Sequence, residues 1–380
     1  MNASGDARLF TARAAAWALL LAGWVGIGAL GWPLAAGVGQ AFGLVASWLL
    51  VLGAVATIAT RDGLSPMARR GVLLACASVA VAALLTVPHG GGLPALIVAL
   101  LGWAALTAVA SGVVRSLRQT RPAPPRPPIG AAALGAVAAA AVLADPGDAS
   151  ALALRMIALA VGAALLLCGL QPSAVADPRG RRCRAGLFDC SLPAWPAGAW
   201  RDLEQWPALL AGLVMLPMMA SLPLMVDWCR GQPIAPAAMV VLHLAAMFAP
   251  ALMLRPLARS WSVWRLSIVC TASLVTGVVL AGVLPAPANL FALTLAHGAA
   301  WGLAWVGQLW SPARRGAQGS SPLRAAIGYA ALTLLFGFAV DRFGIAAVVA
   351  THAAIALAAC GAWLVSAWRI DPHGGARPAP

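Results

Sequence analysis

Residues Gln171–Trp206 read QPSAVADPRGRRCRAGLFDCSLPAWPAGAWRDLEQW. Arg179, Arg181, Arg182, Arg184 and Arg201 crowd into this stretch, and Pro172, Pro178, Pro193 and Pro196 interrupt it. No regular apolar period survives such spacing, so it reads as a loop. Outward in both directions the chain turns apolar in blocks of roughly twenty residues. That length crosses about 30 Å of hydrocarbon at 1.5 Å per residue. Six blocks precede the loop and six follow it. The connection 170–206 is the longest between blocks, and it divides the chain into halves spanning 1–169 and 207–380.

The composition agrees with a membrane protein. Of 380 residues, 62% are hydrophobic and 9% are charged, whereas a soluble domain carries about 25% charged residues. The long apolar blocks are unlike the short alternating segments of a β-barrel. The expected fold is therefore an all-α polytopic membrane protein, with twelve transmembrane helices in two six-helix bundles. The spans run near 14–31, 34–60, 71–88, 93–114, 129–144, 150–169, 207–226, 234–254, 266–284, 288–310, 325–340 and 344–367. The fifth, IGAAALGAVAAAAVLA, rests on alanine, which is barely apolar enough to insert alone.

Arginine placement tests that count. All 25 basic residues are arginine. With a cytoplasmic N-terminus, 22 of them fall in the two tails and the even-numbered loops. Only Arg155, Arg230 and Arg342 lie toward the other side. This is the positive-inside pattern, which a missing or extra helix would scramble. The formal charge of +14 thus reports orientation and contact with inner-leaflet lipid, not nucleic-acid binding. Arg8 and Arg13 precede the first apolar run, but no small-residue cleavage site follows, so that run is read as an uncleaved first helix. Seven cysteines, several within spans, make no disulfide framework. The expected location is a bacterial inner (cytoplasmic) membrane, multi-pass, with both termini cytoplasmic.

Just beyond the loop, Gly212–Met225 reads GLVMLPMMASLPLM, and His243–Met247 reads HLAAM. Seven of the chain's ten methionines fall between residues 215 and 253. Methionine alone is ordinary gap filler in a helix interface. An imidazole in mid-bilayer is costly unless it faces a cavity or a partner. Residues four apart share a helix face, so Met215 projects with Met219 and His243 with Met247. Counting from the inner end of span 7, Met215 lies about 12 Å up and Met219 about 18 Å up. On span 8, His243 lies about 16 Å above the inner face and Met247 about 10 Å. Two antiparallel neighbours would then present three thioethers and one imidazole around one point. Soft thioethers select Cu(I), while imidazole suits several metals. Zinc would recruit thiolate or carboxylate, and neither lies at that depth on these spans. Neutral, weak ligands also release an ion, as a transporter requires.

Two six-helix halves joined by a long basic inner loop look like the major facilitator superfamily, whose bundles rock around a midplane site. Between spans 2 and 3, TRDGLSPMARRG keeps the Asp62, Arg69 and Arg70 types of the superfamily's loop signature at altered spacing. Between spans 8 and 9, LRPLARSWSVWR keeps only the arginines. MxxxM on span 7 followed by HxxxM on span 8 resembles the copper importers of bacterial haem–copper oxidase assembly, the CcoA-like branch of that superfamily. ASLPLM and VLHLAAMFAPALM are similar to that branch's TATPLAM and WHVLxMFAPS regions. Leu242 stands where the branch usually has an aromatic residue, and Ala251 where it has serine. The resemblance implies that Met215, Met219, His243 and Met247 bind metal. It also implies Cu(I) as the transported substrate, with no permanently bound cofactor. A sister branch moves riboflavin, so a small organic solute is the alternative cargo. Asn289, Gln308 and Tyr329 would be its polar contacts. The degraded loop signatures also fit a transport-inactive assembly scaffold.

Other residues carry narrower expectations. Pro217 and Pro223 each remove a backbone hydrogen bond and would act as a gate hinge or a static kink. Asp227 and Cys229, at the outer end of span 7, would meet an incoming ion or serve as an ordinary loop acid and thiol. His297, about 15 Å deep in span 10, is an extra ligand or proton carrier, because span 10 lines the cavity in this superfamily. His352, about 12 Å deep in span 12, is expected to be a packing residue. Cys183 and Cys190 face the cytoplasm beside arginines. They would either hand copper to a cytosolic copper chaperone or be simple linker thiols. No Asp or Glu lies in the middle of a span, so a proton-coupled mechanism would rely on histidine. No catalytic triad, phosphate loop or acid pair is present, so no enzyme is expected. Haem ligation by His243 and His297 would require the two rings to face each other across a gap of haem size.

Overall fold

The computed structural model describes residues 3–34, 38–60, 65–119, 129–142, 148–170, 236–253, 263–285, 288–310 and 322–369. Eleven α-helices occupy them: α1 (Ala3–Leu34), α2 (Val38–Thr60), α3 (Pro66–Thr86), α4 (Gly92–Gln119), α5 (Ile129–Val142), α6 (Ala149–Gly169), α7 (Pro236–Met253), α8 (Val263–Val283), α9 (Ala288–Trp310), α10 (Pro322–Phe343) and α11 (Ile345–Arg369). Each matches one expected span to within a few residues, except that α1 begins well before 14. The expected seventh span and the linker 170–206 lie outside the described residues.

Four stretches among the described residues are long and apolar enough to cross a bilayer: Gly5–Gly26, Pro66–Val114, Ala149–Gly169 and Ala326–Phe343. The second is 49 residues long, about 74 Å if it were a single helix and far beyond one crossing. It breaks at the PHGG sequence between α3 and α4. His89 (φ −95°, ψ 21°) and Gly90 (φ 88°, ψ 12°) leave the helical region, and Gly92 sits at φ 57°. Only glycine adopts those positive φ values at little cost, so the glycines here make two helices out of one apolar run. Shorter apolar cores occupy Gln40–Ala56, Gly130–Val142, Val241–Pro250, Ile268–Val283 and Ala346–Gly361. The architecture is all-α and polytopic.

The helices sort into two compact units. The first contains α1 to α6 together with α10 up to Arg342. Its centre is the pairing of α1 with α4, where Trp17, Leu19, Leu20, Trp103 and Leu106 are buried. The Trp103 indole Nε1–H donates to the Leu19 carbonyl at 2.6 Å. Gly23 makes room for that ring, since a Cβ there would lie 2.6 Å from the indole nitrogen. Gly102 brings α4 onto the α3 backbone at Ala80, and Gly135 brings α5 onto the α1 backbone at Trp17. Close backbone approach at small residues is how apolar helices associate where hydrophobic exclusion offers little. Chain order does not decide unit membership. α10 joins the first unit through Phe336, whose ring meets Phe42 edge-on at 5.8 Å, and through Gly337 beside Phe42.

Trp103→Phe keeps most of the ring volume and removes the indole donor to Leu19. We expect a stability loss of about 0.5–1.5 kcal/mol, read as a lower unfolding temperature in detergent. No change would mean that the bond adds nothing beyond packing.

The second unit contains α7 from Leu242 onward, α8, α9 and α11. Cys270 Sγ and Ser273 Oγ on α8 donate to the Ala300 and Ala296 carbonyls of α9, at 3.3 and 3.1 Å. On α7, Pro250 lies inside the helix and has no N–H to give the Ala246 carbonyl. α9 meets α7 along two glycines one turn apart. A Cβ on Gly298 would sit 3.2 Å from the Ala246 Cβ and 3.3 Å from His243 Nδ1, and a Cβ on Gly302 would collide with the Met247 carbonyl oxygen. These glycines set the depth at which α9 presses on the His243–Met247 face.

Candidate functional site

His243 and Met247 are both buried, 2% and 3% exposed, on one face of α7. Their neighbours Leu242 and Val241 are exposed, as expected of residues turned to the opposite face. The α7 pair points inward, against α9. Met215, Met219, Pro217, Pro223, Asp227, Cys229, Cys183 and Cys190 lie outside the described residues.

His297 lies on α9 and His352 on α11, and both are buried. The His297 ring sits beside both other imidazoles: 4.7 Å from His243, tilted by 36°, and 5.4 Å from His352, edge-on at 67°. Three helices of one unit thus each contribute an imidazole to one row. His352 is buried, as expected of a packing residue, and the residue it packs against is His297. Residue heights carried the missing signal. His243, His297 and His352 all fall within about one helical turn of the same level in the bilayer.

Each imidazole is anchored in the same way. The Nδ1 of His243 contacts the Thr294 carbonyl at 3.2 Å, that of His297 the Leu293 carbonyl at 3.1 Å, and that of His352 the Val348 carbonyl at 2.7 Å. A carbonyl oxygen only accepts, so Nδ1 carries the hydrogen in all three rings. In the neutral ring Nε2 then keeps its lone pair. Anchoring of this kind fixes tautomer and orientation in metal-ligating histidines. Among the described residues, His297 Nε2, His352 Nε2 and Thr294 Oγ1 are buried with no hydrogen-bond partner. Each such atom costs about 1–3 kcal/mol when left unsatisfied.

α7, α8, α9 and α11 contain no Asp or Glu. From these four helices, a ligand bound here meets neutral nitrogen, thioether and hydroxyl groups. Among the described residues, no three His, Cys, Asp or Glu side chains form a set placed to hold a metal ion. The row offers pairs of imidazoles, with Met247 one turn from His243. It does not fit haem. Two imidazoles on opposite faces of one iron need centroids about 6 Å apart, and His243 and His297 are closer than that. Of the candidate organic contacts, Tyr329 is buried in the first unit, and Asn289 Oδ1 accepts from the Leu290 N–H.

No protein-family model matches the chain, and no curated protein matches it. Solved structures do. The nucleoside transporter NupG is 14% identical, covers 96% of this chain and 98% of its own, and superposes with a TM-score of 0.65. A D-xylose-proton symporter is 15% identical over 93% of this chain and 96% of its own, at 0.61. The human organic anion transporter MFSD10 is 15% identical over 94% and 99%, at 0.55. These neighbours are transporters, not enzymes. A likeness of this extent at so little identity is a likeness of fold, and the chain has the all-α, multi-pass fold of the major facilitator transporters.

Proposed function

We propose that the protein is a secondary transporter that imports Cu(I) across the bacterial inner membrane by alternating access and supplies cytochrome oxidase assembly. The observation carrying this reading is the buried face of α7, where His243 and Met247 lie one turn apart against α9. Met215 and Met219 would complete the proposed ligand set from span 7, where counting residues puts Met219 at the height of His243. Neutral sulfur and nitrogen donors fit a soft monovalent ion, and the lack of carboxylates in α7, α8, α9 and α11 disfavours hard cations. Both termini lie in the cytoplasm, where a copper chaperone would receive the ion.

Cellular copper accumulation and oxidase activity with Met219→Ala test the assignment. We expect accumulation to fall at least tenfold at unchanged protein level. Wild-type accumulation would remove Met219 from the site.

A second reading is carriage of a small organic solute such as riboflavin. The nucleoside, xylose and organic-anion cargoes named for the structural neighbours favour it. Flavin uptake that is unaffected by Met219→Ala would support this reading over copper.

A further inference from the structure

We propose that His297 and His352 form a second Cu(I) stop inside the second unit, beside the His243–Met247 position. This inference rests on the copper reading and adds a site to it. Three observations carry it. The two rings are 5.4 Å apart on different helices, α9 and α11. Both Nε2 atoms are buried and have no hydrogen-bond partner among the described residues. Both Nδ1–H groups are already committed to backbone carbonyls, so the free donor on each ring is the Nε2 lone pair.

The chemistry selects the ligand class. A proton would be held by the same lone pairs, but the charge would have no counter-ion: the groups facing the rings from α7, α8, α9 and α11 include no carboxylate. Proton relay through a ring would also require Nδ1 to release the hydrogen it gives to its carbonyl. Cu(I) brings the same single charge, so the counter-ion does not tell the two apart, but it avoids the second difficulty. It accepts two neutral nitrogens, needs no proton release, and replaces two unsatisfied lone pairs with two dative bonds. Two imidazoles opposed through one ion stand about 6 Å apart, so the 5.4 Å spacing suits a bent pair. Such a site needs only two protein donors, in keeping with the lack of a three-residue set among the described residues. His297 is also 4.7 Å from His243, so the two stops are adjacent.

Purified full-length protein in nanodiscs, titrated anaerobically with Cu(I) against a chromophoric chelator, tests this directly. We expect two equivalents in the wild type and one in His352→Phe, with His352→Met restoring the second because a thioether replaces the lost nitrogen. In X-ray absorption of the copper-saturated proteins, the imidazole share of the scattering per copper should fall and the sulfur share rise in His352→Phe. One equivalent in the wild type, or two in His352→Phe, would overturn the second stop and leave the copper reading standing. No bound copper in the wild type would overturn both. A packing role for His352 predicts that Phe is tolerated at least as well as Met, the opposite order.

Discussion

His243→Ala is expected to reduce copper accumulation to the level of cells lacking the protein, a loss of at least tenfold. The imidazole is the one nitrogen donor in the proposed set of Met215, Met219, His243 and Met247, and it is wholly inside the protein. Removing it leaves only thioethers, which bind more weakly, and each 1.4 kcal/mol of lost affinity is a factor of about ten. The substitution also breaks a structural contact, because His243 Nδ1–H donates to the Thr294 carbonyl and ties α7 to α9. His243→Gln separates the two effects. A glutamine amide reaches a similar distance and keeps a donor for Thr294, but it offers no soft nitrogen lone pair. We expect His243→Gln to match the wild type in protein level and thermal unfolding and to match His243→Ala in copper accumulation. If both variants take up copper normally, the ion does not pass this residue. If only Ala fails, the histidine serves the α7–α9 contact and copper specificity lies elsewhere.

The helices were legible in the sequence because bilayer thickness fixes their length. A run of about twenty apolar residues has one outcome in lipid, since every backbone polar group must be satisfied within the segment. Even the fifth span, built on alanine, is a helix, α5 (Ile129–Val142), covered on one side through Gly135 against Trp17. Boundaries fared worse where helices run past the apolar core. α1 begins at Ala3 and carries Asp6, Arg8 and Arg13 in its first turns, so its polar start could not be told from a tail by hydropathy. The inward direction of His243 and Met247 was legible from their four-residue spacing. Which third and fourth helices meet that face was not. Periodicity states which residues share a face of one helix and is silent on which faces touch. That is why the burial expected of His352 is found, while its edge-on contact with His297 could not be read from the sequence. The placement of α10 with the first unit has the same cause. Nothing in PLRAAIGYAALTLLFGFAVDRF announces that Gly337 abuts Phe42.

The contact between α7 and α9 gives the largest expected effect on the fold. Gly298 and Gly302 are four apart and both face α7, a small-xxx-small pair that lets the two backbones approach. Alanine is better than glycine by about 0.8–1.0 kcal/mol in a helix interior, so helix propensity favours both substitutions. The local geometry reverses that sign at only one of them. At Gly298 a Cβ would stand 3.2 Å from the Ala246 Cβ and the His243 carbonyl oxygen, contacts that a few tenths of an ångström of movement relieve. At Gly302 it would run into the Met247 carbonyl oxygen, with the Pro250 ring 3.3 Å away. Pro250 stiffens that part of α7, and a carbonyl cannot rotate aside as a side chain can. Gly298→Ala is therefore expected to change the unfolding temperature little. Gly302→Ala should destabilise by about 1–3 kcal/mol despite its better propensity, and should weaken Cu(I) binding by pushing Met247 off the α9 face. Thermal unfolding in detergent and Cu(I) titration of both variants measure the two effects separately. A Gly302→Ala protein as stable as the wild type would mean that α7 and α9 do not meet at this depth, and that the packing which turns His243 toward His297 is not the one described.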